Sequence, residues 1–204
     1  MRKNIGAVGM GTRTIGLVLA LGFASGCGGG AVVPTQAPSF SAQVESFNSE
    51  FSQAQGQDFS TSQSVSSASG SYSGTAVVRV LDGGAPSIFL GDAALSIDIA
   101  AGAVSGSLRG FSRRLNSTTE EDLTGRLTVR GQSIGTSQDS EFISTVSGTL
   151  TGSSTDFDLG GGTLFGDLLQ NPTSSLVGQG TFTNSTLDGR SGLTSTINVL
   201  AKKN

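Results

Sequence analysis

The chain has 204 residues, 12 basic against 15 acidic, for a net charge of −3, and only 13% of its residues are charged. That balance argues against a nucleic-acid binder, which needs a basic face for phosphates, and against docking on anionic lipid through net charge. His is absent and Cys27 is the one Cys, which excludes an intrachain disulfide and a Cys/His zinc site.

The first 26 residues read as an export signal. Arg2, Lys3 and Arg13 supply positive charge with no acid, and residues 14–23 (TIGLVLALGF) form an apolar run. Its length suits a signal-peptide core and falls short of the roughly 20 residues of a membrane-crossing helix. Ala24-Ser25-Gly26 then lead directly into Cys27. This arrangement resembles the bacterial lipobox, with Ala24 where Leu is usual. The resemblance implies cleavage before Cys27 and acylation of its sulfur. Gly28 follows where an Asp would retain such a protein in the inner membrane, which implies the outer membrane of a Gram-negative bacterium. Each buried methylene contributes about 0.8 kcal/mol and a single chain holds only marginally, so the two or three chains of a lipoprotein Cys give a stable anchor. Removal of the signal leaves a net charge near −6.

Residues 27–70 read as a tether. Gly28-Gly29-Gly30 and residues 31–38, with Pro34 and Pro38, have too little apolar surface to fold. Phe40, Val44, Phe47 and Phe51 recur at spacings of four, three and four, which makes one apolar helix face within residues 40–55. Such a helix either packs on the end of the following domain, the plainer reading, or serves as a partner-binding or membrane-surface helix. So short a helix barely holds alone in water. Residues 56–70 read as a Ser-rich linker.

From residue 71 to 204 the period becomes two. Ala76, Val78 and Val80 alternate with Val77, Arg79 and Leu81, so the first strand reads as covered on both faces. Leu95, Ile97 and Ile99, a turn at Ala101-Gly102, then Val104, Gly106 and Leu108 make a hairpin with one dry face. Further strands run through Leu123–Val129, Phe142–Leu150, Phe157–Phe165 (broken by Gly160-Gly161-Gly162), Leu176–Phe182 and Leu193–Val199. Eight strands with hairpin-length links predict an all-β, antiparallel up-and-down barrel, which leaves no open edge. Gly106, Gly125, Gly148, Gly178 and Gly180 fall on the inward rows, where a side chain is expected to crowd the interior. The outward rows are Ser, Thr, Asp and Arg, the reverse of a membrane-spanning barrel.

Residues 95–108 (LSIDIAAGAVSGSL) resemble the strand-turn-strand of the small barrel in transferrin-binding protein B and related bacterial lipoproteins. Gly162-Thr163-Leu164-Phe165-Gly166, Leu176-Val177-Gly178-Gln179-Gly180-Thr181-Phe182 and the ending Val199-Leu200-Ala201-Lys202-Lys203 are similar to that family's closing segment. Residues 166–175 lack the family's turn and acidic pair, and Gln179 replaces its second Gly. The resemblance covers about residues 71–203 and implies a binding lipoprotein. With one barrel and no handle domain, it does not extend to transferrin itself.

Chemistry-bearing motifs are weak. Gly131-Gln132-Ser133-Ile134-Gly135 matches a hydrolase elbow, but that needs a His and a strand-to-helix turn. Asp156, Asp158, Gly161 and Asp167 fall at positions one, three, six and twelve of a calcium loop, but position five is Gly160, Asp167 stands where a bidentate Glu belongs, and no flanking helices are expected, so chance is the plain reading. Arg113-Arg114 and Glu120-Glu121-Asp122 flank one loop as a recognition patch, a general-acid pair, or solvated charges; the last is the plain reading. The expectation is a non-enzyme with no catalytic residue, cofactor or metal, anchored at Cys27, binding a protein or ligand through loops 110–122, 131–141 and 167–175. A structural or assembly role in the envelope, and carriage of a small apolar molecule inside the barrel, are the alternatives.

Overall fold

From Gly70 onward the chain folds back on itself in antiparallel strands, as its alternation requires. The computed structural model describes residues 37–57, 66–133, 141–170 and 173–204, all within one unit, Ala37–Asn204. The export segment, Cys27 and most of the tether lie outside the described residues. One helix, α1 (Phe40–Gln55), and a 3-10 turn (Ser66–Ala68) precede the strands. These are β1 (Gly70–Leu81), β2 (Ser87–Asp98), β3 (Ala103–Arg114), β4 (Glu120–Asp122), β5 (Thr124–Ser133), β6 (Glu141–Thr151), β7 (Asp156–Asp158), β8 (Gly161–Leu169), β9 (Ser175–Leu187) and β10 (Arg190–Lys203).

Pairing runs β1-β2-β3-β5-β6-β8-β9-β10 and returns to β1, where Val77 stands opposite both Leu90 and Asn198. The result is a closed eight-stranded antiparallel barrel. The two three-residue strands extend it: β4 pairs with β3, and β7 continues the line of β8 beyond the break at Leu159-Gly160. Tyr72, Phe89, Phe111, Phe142, Phe157 and Phe182 are each under 2% exposed and fill the interior with Leu and Val. The Phe89 and Phe157 rings meet at 5.1 Å.

The inward glycines behave in two ways. Gly125 (φ 97°) and Gly148 (φ 142°) sit opposite Leu150 and Leu127. A Cβ on them would lie 2.3 and 2.2 Å from the carbonyl oxygens of Thr149 and Arg126. The crowding is therefore against the adjacent strand's backbone, not across the interior. At Gly178 a Cβ would meet the Leu164 side chain at 3.5 Å, an ordinary contact. The expected crowding is absent there.

The helix forms as its spacing predicts, but it packs on the side of the barrel and not on its end. Phe40, Val44, Phe47, Phe51 and Ala54 bury against Val77, Leu90, Leu169, Val177 and Leu200, which point outward from the wall. Those outward apolar positions on β1, β2, β8, β9 and β10 are the reason: the helix covers surface the barrel cannot leave wet. Fully burying each Phe contributes about 1.5–3 kcal/mol. The N-cap is Ser39, whose Oγ accepts from the Ala42 N–H at 3.3 Å. Arg79, beneath the helix, donates to Asn48, and burial lowers its pKa.

The expected Ser-rich linker is also shorter than residues 56–70. Its last residues are fixed at the barrel mouth. The Tyr72 hydroxyl donates to the Ala68 carbonyl at 2.7 Å, and the Ile99 N–H to Ser69 Oγ at 3.0 Å. Lys203 Nζ donates to the Ser67 carbonyl.

Candidate functional site

Strand direction assigns every connection to one of two ends. The Arg113 end carries the links 82–86, 115–119, 152–155 and the turn at Asp188-Gly189. The Tyr72 end carries the turn 99–102 and the β5–β6 and β8–β9 connections.

At the Arg113 end the positive φ of Asp188 (52°) and Gly189 (80°) makes the tight turn that a right-twisted hairpin favours. That turn aims the Asp188 carboxylate inward. Arg113 Nη1 donates to Asp188 Oδ2 and to Thr155 Oγ1, both at 2.9 Å, and Nη2 donates to Ser87 Oγ at 3.2 Å. The guanidinium lies 5.6 Å from the Phe89 ring centroid. Thr155 Oγ1 in turn donates to Glu121 Oε2 at 2.6 Å. Glu121 Oε1 accepts from Ser153 Oγ and the Ser154 N–H, both at 2.7 Å. Hydrogen bonds from Thr155, Ser153 and Ser154, in that order of weight, pull the Glu121 carboxyl down to about 2. At neutral pH it is therefore a fixed acceptor, not a proton donor.

This network corrects the reading of Arg113 and Glu121 as solvated, weakly paired loop charges: Glu121 is 8% exposed. The neighbouring charges do not join it. Arg114 turns to Ser41 on α1, while Glu120 and Asp122 are exposed. Sequence reasoning missed Ser87, Thr155 and Asp188, which come from the start of β2 and from two separate hairpin links and carry no common motif.

The three predicted loops do not form one surface. Residues 110–122 lie at the Arg113 end, much of them in β3 and β4. Residues 131–133, 141, 167–170 and 173–175 lie at the Tyr72 end, where β6 pairs with β8 and Glu141 stands opposite Asp167. Residues 134–140, 171 and 172 of those loops fall outside the described residues. Of the elbow-like motif, Gly131 and Ser133 lie in β5, and Ile134 and Gly135 are outside the described residues. Asp158 and Asp167 are separated along β7 and β8 by about 30 Å at roughly 3.3 Å per residue. Among the described residues no group of three or more His, Cys, Asp or Glu is placed to hold a metal ion.

On the outer wall an open groove of about 650 Å³ runs beside the end of α1, floored by Gly162, Gly178 and Gly180 and edged by Phe51 and Phe165. Phe165 is 55% exposed and stands opposite Ile143, itself 37% exposed. Alternation separates Leu164 from Phe165 in the sequence, but only the register reveals which of them faces out.

The structure defines a closed antiparallel barrel with one helix docked on its outer wall. Comparison of the chain with protein-family models, with curated proteins and with solved structures returned no match.

Proposed function

We propose that this protein is a lipoprotein of a Gram-negative outer membrane, held by acyl chains on Cys27, with its barrel acting as a binding module. The reading follows the resemblance to the barrel of transferrin-binding protein B and its lipoprotein relatives. The observation that carries it is the contrast between the two ends of the barrel. The Arg113 end spends its polar groups on its own network, and α1 begins beside it, where Phe40 and Ser41 lie near Pro86 and Arg114. The Tyr72 end is the opposite end from the start of α1, and there the strand ends Ser133, Glu141, Leu169 and Ser175 begin and close the loops 131–141 and 167–175. Recognition therefore falls to those two loops. The aromatic filling of the interior supports loop recognition over carriage of an apolar molecule within the barrel.

Two measurements test this. Labelled palmitate should enter the wild-type chain and not Cys27→Ser, and the variant should leave the membrane fraction; a variant that stays with the membranes overturns the anchor. Shortening loops 131–141 and 167–175 should abolish cross-linking to envelope components, while shortening 115–119 should not. Equal cross-linking in all three overturns the loop assignment.

A further inference from the structure

The net charge hides an uneven distribution. On the wall opposite α1, three arginines project from adjacent strands: Arg109 on β3, and Arg126 and Arg130 on β5. All three are exposed, and their side chains have no hydrogen-bond or ion-pair partner among the described residues. By contrast, Arg79, Arg113, Arg114 and Arg190 are each engaged, with Asn48, Asp188, Ser41 and Asp82 respectively. Two exposed acids stand beside the cluster: Asp92, opposite Arg109 on β2, and Asp158, which pairs with Thr149 and so lies one strand beyond Arg126. Neither forms an ion pair with these arginines among the described residues, and Glu120, Asp122, Asp156 and Asp188 lie further toward the Arg113 end.

The register sharpens this. Arg109 and Arg126 are direct cross-strand partners, about 5 Å apart across the sheet. Like charges placed directly opposite on an exposed face cost stability. Arg130 lies two outward positions further along β5, about 13 Å away, with Ser105 opposite it. Between and beside them the wall presents Ser107, Thr128, Thr145, Ser147 and Thr149. No large apolar side chain stands among them.

We infer that this wall binds an acidic polysaccharide, its carboxylates held by Arg109, Arg126 and Arg130 and its hydroxyls by the surrounding Ser and Thr. Planar guanidinium forks match carboxylates in pairs, which a Lys cluster does not. A linear chain can follow a curved wall and reach all three positions. A flat bilayer meets a convex wall at one line, and no aromatic or aliphatic side chain stands between the three arginines to insert. Nucleic acid would call for a larger basic face.

The inference rests on the reading of the barrel as a binding module, and names a ligand class for a wall that reading leaves unassigned. The test uses the full chain carrying Cys27→Ser, so that no acyl chain confuses the lipid arm. Polygalacturonate should bind, binding should weaken steadily as salt rises, and the fully methyl-esterified polymer should not bind. Arg109→Gln, Arg126→Gln and Arg130→Gln together should weaken binding about tenfold or more. The Tyr72 phenol, titrating as in the unmodified protein, reports that the variant barrel is intact. Equal binding by an intact triple variant overturns the inference. So does binding of phosphatidylglycerol vesicles or duplex DNA in place of polygalacturonate. Failure here with loop-dependent cross-linking preserved removes only the wall; loss of cross-linking removes the wider reading.

Discussion

Replacing Phe47 by Ala tests whether the helix is a separately releasable layer. Phe47 is 4% exposed, stacked on Phe51 with ring centroids at 5.6 Å, and belongs to an apolar cluster distinct from the barrel interior. Deleting a buried Phe side chain costs about 3–5 kcal/mol when its site cannot collapse. The helix has no comparable reserve. Its sixteen residues are marginal alone in water, and Phe40, Val44, Phe51 and Ala54 must offset the ordering of the whole segment. The substitution therefore releases α1 and leaves the barrel standing. Hydrogen exchange followed by mass spectrometry should show protection over Phe40–Gln55 falling about 10²- to 10³-fold, with β1 unchanged away from the uncovered Val77. Two results refute the reasoning: unchanged protection in α1, which would mean the stripe does not hold it, or equal loss in α1 and β1, which would make the helix integral to barrel closure.

Tyr72 offers a clean probe, because it is the only Tyr and Trp is absent. Burial pushes its phenol up to about 12, so absorbance at alkaline pH should show no phenolate until the barrel itself opens. Because the folded value is raised, the stabilisation is complete below the ordinary value near 10 and is lost as pH climbs toward 12. Titration at the ordinary value in the folded protein would contradict its burial. At the other extreme Glu121, held down to about 2, contributes stability that is present above its ordinary value near 4.5 and is lost as pH falls toward 2. Glu121→Gln should lower stability at neutral pH and flatten the acid-unfolding curve over that interval. A variant curve parallel to wild type would show that the carboxylate does not hold the Arg113 end.

Much of the fold was legible because one rule governs it: strand side chains alternate, and one face must be dry. The inward rows of β2, β3, β5 and β9 could be named from Leu95, Val104, Leu127 and Phe182. The helix was legible in the spacing of Phe40, Val44, Phe47 and Phe51, but its seat was not. The seat has a signature that alternation alone discards, namely pairs of adjacent apolar residues. In Val77-Val78, Phe89-Leu90, Leu168-Leu169, Leu176-Val177 and Val199-Leu200, one member of each pair fills the barrel and the other faces α1. Two more such pairs, Phe142-Ile143 and Leu164-Phe165, send their outward members to the uncovered part of the same wall. The doublets thus mark where the wall is not polar; only the register around the closed sheet separates those the helix covers from those it leaves exposed.

The site was less legible, for a reason that also lies in register. Arg109 and Arg126 are far apart in the chain and become neighbours only when Leu108 aligns with Leu127. Shifting that pairing by one residue would turn the arginines inward and the leucines out, which the dry interior forbids. The same packing that buries Leu108 and Leu127 therefore fixes two guanidinium groups side by side in water. Whole-chain charge is a sum and cannot register this. It averages a rim where Asp188 and Glu121 are spent on Arg113 and its neighbours with a wall whose three guanidinium groups form no ion pair among the described residues. The electrostatics of this protein are set by which rows the core compels to face outward.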